Sequence, residues 1–261
     1  IADNKFYVLS NQKVKFRRFG ETFVEFFRML SLTKAEHPLL KNENPKTGIL
    51  VCTVEGSFLG KFNNAIIRRA TEEKEQFPDS TFIAVGEKAV DPLSKIEPEM
   101  ESFTGMDNVG MYEMAIEVKD YLVKEIMEGR LGKVVVVYSW PKTQETQATR
   151  VVKLLPCDEL ITKQTQFVKE FENIIEESEP YDIIGFLANL WITTRLYEIF
   201  YDLSIAGAAA QSQFLDDSLD KMKKERTKSR MKYMKAKKSD IDKGLRETFS
   251  ARLIAKGADS H

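Results

Sequence analysis

Two cysteines and two histidines are the whole supply, in 261 residues, of the side chains that most often bind transition metals or act as bases near neutral pH. Cys52 and Cys157 lie in unrelated surroundings, with neither C-x-x-C spacing nor a histidine cluster nearby. That argues against a disulfide scaffold and a structural zinc site, and a reducing compartment fits. His37, ahead of Pro38, and His261, the last residue, are poorly placed to act together as a base or as metal ligands. No catalytic residue and no metal site is therefore expected.

Long uncharged runs are also missing. The most apolar region, 183–210, is interrupted by Arg195, Glu198 and Asp202, which argues against a membrane span. The N-terminus lacks the basic, apolar and small-residue regions of a signal peptide. If a membrane matters, the chain is expected to meet it through partners.

Proline is confined to the middle: all eight lie between Pro38 and Pro180, so 1–37 and 181–261 are free of the strongest helix breaker. The charged fraction, 30%, is above the usual quarter and the hydrophobic fraction, 43%, is slightly low. Much of the chain is therefore expected on surfaces or in thin helical seams. Near-neutral net charge conceals a local imbalance. Between Lys221 and Lys238 ten Lys/Arg face one acid, Glu225, while 71–128 carry an acidic excess.

In the first segment Leu9, Phe16, Phe23 and Leu30 recur every seven residues, with Gln12, Phe19 and Phe26 between them at d-like spacing. The pattern predicts a helix over 1–37 that packs along another helix through a seam of Phe16, Phe19, Phe23 and Phe26. The middle, 46–175, alternates continuous apolar runs with helical stretches. Strands are expected at 48–54, 81–85 and 133–138, helices at 63–76 and 109–127, and weaker edge strands at 144–155 and 166–173. Strand-helix-strand order with continuously apolar strands predicts a parallel, Rossmann-like α/β sheet covered by helices. The last segment, 181–258, reads as one helix of about 110 to 120 Å at 1.5 Å per residue. Leu196, Phe200, Leu203, Ala210 and Phe214, followed by Leu215, Leu219, Met222, Ile241, Leu245, Phe249 and Leu253, form a drifting stripe of coiled-coil character.

The turn Gly56-Ser-Phe-Leu-Gly60 after the first strand lacks both G-x-G-x-x-G and G-K-[ST], so it reads as a strand-to-helix turn rather than a nucleotide loop. Acidic runs at Glu72-Glu73, 97–101 and 176–179 have no second catalytic group beside them and read as solvated surface. On residue chemistry alone, the basic helix allows a coiled-coil adaptor that binds nucleic acid or another protein.

Three stretches narrow the choice. Thr53-Val-Glu55-Gly-Ser-Phe-Leu-Gly60-Lys-Phe62-Asn63 is similar to T-S-D-R-G-L-C-G-G-F-N; Tyr138, Gln147 and Leu154-Leu155-Pro156 keep the spacing of Y-N-x-F…Q…L-L-P. Tyr233-Met-Lys235-Ala236-Lys237-Lys238-Ser-Asp-Ile241-Asp-Lys-Gly-Leu245 is similar to Y-N-[KR]-x-R-Q-x-x-I-T-x-E-L. Together they resemble the gamma subunit of F-type ATP synthases, the central rotor shaft.

That resemblance implies a long antiparallel two-helix coiled coil made by the terminal segments, with the Rossmann-like domain inserted between them. Its seam would include Phe16, Phe19, Phe23, Phe26, Leu203 and Phe214. It further implies a non-catalytic subunit turning inside three alpha and three beta subunits, which themselves bind ATP, ADP and Mg. An epsilon-like subunit and a proton-driven membrane c-ring would bind the globular foot, with no cofactor on this chain and no nucleic acid. The complex would sit peripherally on the cytoplasmic face of a bacterial inner membrane, or the matrix or stromal side of an organelle membrane. Tyr233, Lys235, Lys237, Lys238, Ile241 and Leu245 would be the shaft residues touching alpha and beta. The basic run would meet acidic lever segments of beta. Lys237-Lys238 replaces the family's Arg-Gln pair and Asp242-Lys-Gly244 replaces T-x-E, which implies retuned contacts. Ile1-Ala-Asp-Asn-Lys5-Phe6 is similar to M-V-A-A-S-K-[LM], so the chain is expected to begin several turns into the family's first helix.

Overall fold

In the computed structural model the described residues are 23, 24, 27, 36–56, 58–106, 110–143, 146–162 and 179–258. Their order is β1 (Thr47–Cys52), α1 (Gly60–Gln76), β2 (Thr81–Val85), α2 (Glu87–Ser94), β3 (Glu101–Phe103), α3 (Met111–Met127), β4 (Lys133–Pro141), β5 (Gln147–Leu155), α4 (Glu159–Thr162) and α5 (Pro180–Ala258). The expected seam positions Phe16, Phe19 and Phe26, and the expected strand at 166–173, lie outside the described residues.

The most continuously apolar segments make the centre of the sheet. Its order is β3-β2-β1-β4-β5, parallel except for β5, which returns antiparallel on β4. Ile49 pairs with Phe82 on one side and Val135 on the other, and the residues from Ile49 to Cys52 are wholly buried. A strand covered on both faces has no use for polar alternation, which is why Val134 to Val137 form an unbroken run.

The helices bury stripes at helical spacing: Asn63, Ile66, Ala70 and Glu73 on α1, and Met111, Met114, Ala115, Val118, Leu122 and Ile126 on α3. The sequence expectations omit α2 and β3. Pro92 falls inside α2 and forfeits a backbone hydrogen bond, yet Ala89 and Leu93 are wholly buried and hold the helix against the domain. The expected 144–155 strand is β5, joined to β4 by a turn in which Lys142 and Thr143 N–H donate to the Thr146 carbonyl.

Two acidic side chains expected at the surface are structural instead. The Glu97 carboxylate accepts from Lys74 Nζ at 2.8 Å and Phe82 N–H at 3.1 Å, tying the chain after α2 to α1 and β2. Glu73 is buried and paired with Arg69. Glu179, in contrast, is exposed.

The chain divides into two units, 1–212 and 213–261. The first holds the sheet together with the beginning of α5; the second is the remainder of that helix. Phe23, Val24 and Phe27 are helical and buried in the core of the first unit, with Phe23 stacked on Trp191 at 5.8 Å between ring centroids.

Candidate functional site

Along α5 the environment changes completely. From Ile199 to Ala209 every residue is buried, so the helix is covered on all sides, whereas from Lys221 to Ala251 every residue is exposed. Leu203 is wholly buried, while Phe214, in the second unit, is 44% exposed.

All six expected shaft residues lie in the exposed part. Tyr233, Ile241 and Leu245 are each more than half exposed, as are Met222, Met231, Met234 and Phe249. At 100° per residue, Tyr233, Lys237, Ile241 and Leu245 follow one slowly drifting stripe, Lys238 flanks it, and Lys235 falls on the far side. Large apolar groups exposed along one helix face mark a surface suited to contact with another protein.

Electrostatics point the same way. Lys224, Lys228 and Lys232 are spaced i,i+4, as are Arg226 and Arg230, and like charges so placed cost about 0.2 to 0.5 kcal/mol per pair. Among the described residues of 221–238, the ion pair present is Lys223–Asp220, at 3.5 Å and largely exposed. Such a helix is improved by contact with acidic groups.

The first unit grips α5 from several directions. Arg150 on β5 stacks over the rings of Tyr138 and Trp140 at 4.9 and 4.7 Å, donates through Nε to the Tyr138 hydroxyl at 2.7 Å, and reaches Asp202 on α5 at 3.4 Å. Asp202 is buried; burial also pushes the Tyr138 hydroxyl up to about 12, with Arg150 pulling it down. Two turns earlier, Arg195 lies 3.9 Å from Glu159 of α4 and 2.7 Å from Glu198. Burial opposes its charge, but Glu198 and Glu159 hold the guanidinium above its usual value. Tyr112 of α3 meets Tyr197 edge-on at 6.0 Å. A Cβ on Gly207 would come within 3.0 Å of a Val54 methyl, so the loop after β1 lies almost on the helix backbone. Sequence reasoning treats Arg195 and Asp202 only as interruptions of an apolar run; the signal for their role is that a charge inside such a run demands a partner.

The loop after β1 contains the Thr53–Asn63 motif. Asn63 brackets Val54, its amide Nδ2 donating to the Val54 carbonyl at 2.8 Å and its Oδ1 accepting the Val54 N–H at 3.1 Å. The Thr53 hydroxyl donates to the carbonyl of Val85 at 3.1 Å, with that of Gly86 at 3.3 Å, and Glu55 accepts the Gly105 N–H at 3.0 Å. A pocket of about 350 Å³ opens here, lined by Gly56, Phe58, Leu59, Gly60, Asn63, Asn64 and Lys88. Of its lining, Asn63 is already committed to Val54, and the turn joins β1 to α1 as expected of a strand-to-helix connection.

Cys52 and Cys157 are wholly buried, and burial raises both thiols far above their usual range. Among the described residues no group of three or more His, Cys, Asp and Glu could hold a metal ion, and no helix is long and apolar enough to cross a membrane.

The model of the family described as ATP synthase matches residues 1–252. Among curated relatives, the ATP synthase gamma chain of a Nitratiruptor species is 26% identical over 210 residues, covering 77% of this chain and 70% of its own. That of Crocosphaera subtropica is 23% identical over 283 residues, covering 96% and 90%. A solved chain from the central stalk and c-ring of Tetrahymena thermophila mitochondrial ATP synthase has the same fold, with a TM-score of 0.63 at 16% identity over 83% of this chain and 96% of its own.

Proposed function

The chain belongs to the ATP synthase family, and we infer that it is the assembly's gamma-type rotor subunit, coupling rotation to ATP synthesis or hydrolysis. The observation that carries this reading is the exposed part of α5: an apolar stripe and a self-repelling basic segment in which every residue from Lys221 to Ala251 is exposed.

Three alpha and three beta subunits would surround that helix, binding ATP, ADP and Mg themselves. The N-terminal segment would run antiparallel to α5 as a coiled coil, a reading supported by the Phe23–Trp191 stack. An epsilon-like subunit and a membrane c-ring would take the sheet domain, leaving the subunit peripheral to the membrane. Rotation transmits work only if the catalytic states bind different faces of the shaft unequally. The segregation of apolar stripe, basic run and far-side Lys235 supplies unequal faces. Acidic lever segments of beta would meet Lys221 to Lys238.

Co-expression with the alpha and beta subunits tests the reading. A complex with three of each per copy of this chain, active as an ATPase, is the expected result. A chain that stays alone, or that binds bulk nucleic acid in a salt-dependent manner without those subunits, refutes it. Charge reversal at Lys235, Lys237 and Lys238 should lower torque and ATP turnover; unchanged values would remove the basic run from the contact.

A further inference from the structure

A shaft delivers work only if the body that receives the load cannot slip around it, and one stretch of α5 inside the first unit offers little shape to resist slipping. From Ile205 to Ala209 the sequence is Ile-Ala-Gly-Ala-Ala, buried on all sides but with little relief for neighbouring side chains to engage. Along that stretch the close approach of Gly207 to Val54 is the main steric guide to rotation. Directional polar contacts can fix it further.

We propose that two ion pairs of opposite polarity, Arg150–Asp202 and Glu159–Arg195, lock the rotational register of α5 against the sheet domain, with Arg150 as the principal positioning residue. Arg195 and Asp202 are seven residues apart, two helical turns, and so face within about 20° of one another. At one point the domain offers an acid to a helix cation, and at the other a cation to a helix acid. Because both helix residues lie on one face, any rotation of α5 draws Asp202 from Arg150 and Arg195 from Glu159 together, and a two-turn slide that set Arg195 against Arg150 would oppose like charges.

Arg150 is built for this task. Two aromatic faces and the Tyr138 hydroxyl orient its planar fork before it reaches the helix. Asp202 is buried, so rotating it away would strand a desolvated carboxylate without its cation. Gly207 opposite Val54 and the Tyr112–Tyr197 contact close the grip from other directions. That this lock carries torque rests on the rotor reading; that it sets register does not.

The test uses the full chain as wild type, R150E, D202R and the double swap R150E/D202R, each reconstituted with its alpha, beta and membrane subunits. In each single reversal ATP hydrolysis is expected to persist while proton pumping per ATP is lost, and the swap is expected to restore pumping. D202N keeps the side chain's shape without its charge; it covers the case in which reversal prevents folding, and should lose part of the pumping. Unchanged pumping in a folded, assembled single variant, or a swap that restores nothing, overturns the lock. If the wild-type chain does not assemble, the rotor reading fails, and amide hydrogen exchange over 191–207 in the isolated chain decides the register claim. Faster exchange in the singles, slowed again by the swap, supports it; equal exchange in all four overturns it.

Discussion

Replacing Gly207 tests how closely the loop after β1 approaches the terminal helix. Glycine inside a helix costs about 1 kcal/mol relative to alanine, so Gly207→Ala should stabilise α5 by that amount if nothing stood in the way. The new Cβ, however, would lie 3.0 and 3.2 Å from the two Val54 methyls. Carbon atoms prefer about 3.5 to 4.0 Å, so each contact must yield by several tenths of an ångström, and overpacking of this kind costs about 1 to 3 kcal/mol. Gly207→Ala alone should therefore range from neutral to about 2 kcal/mol destabilising. Val54→Ala removes two half-buried methyls and should cost about 1 kcal/mol. In the double variant the obstacle is gone, and the alanine should express its full helical advantage. The expected coupling is about 1 to 3 kcal/mol, beyond the roughly 0.5 kcal/mol scatter of independent sites. Urea titration followed by tryptophan fluorescence suits the measurement, because Trp140 and Trp191 both lie in the first unit. A coupling below about 0.5 kcal/mol would refute the close approach.

Other residues give separate checks. Asn63→Ala should cost about 2 kcal/mol, from two hydrogen bonds to Val54 at roughly 1 kcal/mol each, and should speed proteolysis in the loop; a cost under about 0.5 kcal/mol contradicts the bracket. Burial lowers the His37 pKa, so below pH 6.5 the unfolded chain takes up a proton that the folded one resists. Stability should be full above pH 6.5 and decline as pH falls toward the lowered folded value; His37→Gln should remove that slope from urea midpoints measured across the window. Gly132→Ala would place a Cβ 2.0 Å from the Asn44 carbonyl oxygen, whereas at Gly129 only a φ of +71° opposes a side chain. The first should disrupt the entry to β1, and the second should cost about 1 to 2 kcal/mol, so equal melting temperatures would count against this reading. Finally, neither Cys52 nor Cys157 should react with a thiol reagent until the first unit unfolds.

Periodicity made the central strands, α1, α3 and the length of α5 legible because each obeys one dominant force. Val134 to Val137 need only be apolar, and the absence of proline after Pro180 permits one helix. It failed where tertiary contacts outweigh local preference. Pro92 disguises α2, whose two buried residues decide its existence, and Glu97 looks solvated in sequence because the cation it meets, Lys74, is 23 residues away. The same limit hid the grip on α5. Arg150 and Asp202 are 52 residues apart, and only the pairing of β5 with β4 sets Arg150 across from Tyr138. Ile241 and Leu245 of the exposed shaft were legible in the apolar stripe, whereas Tyr233, Lys235, Lys237 and Lys238 came from a motif, because polar residues on an exposed helix carry no buried face to betray them.

The exposed basic stretch also governs the fate of a copy that finds no partners. Self-repulsion weakens the helix at 221–238, and nothing in its own unit buries it. The same cations that draw an acidic partner are the residues at which trypsin-like proteases cut. On the rotor reading, partners would hide this segment, and a copy without them would present a row of cleavage sites. The same exposure that suits the segment for binding would thus make surplus copies the first to be cleaved.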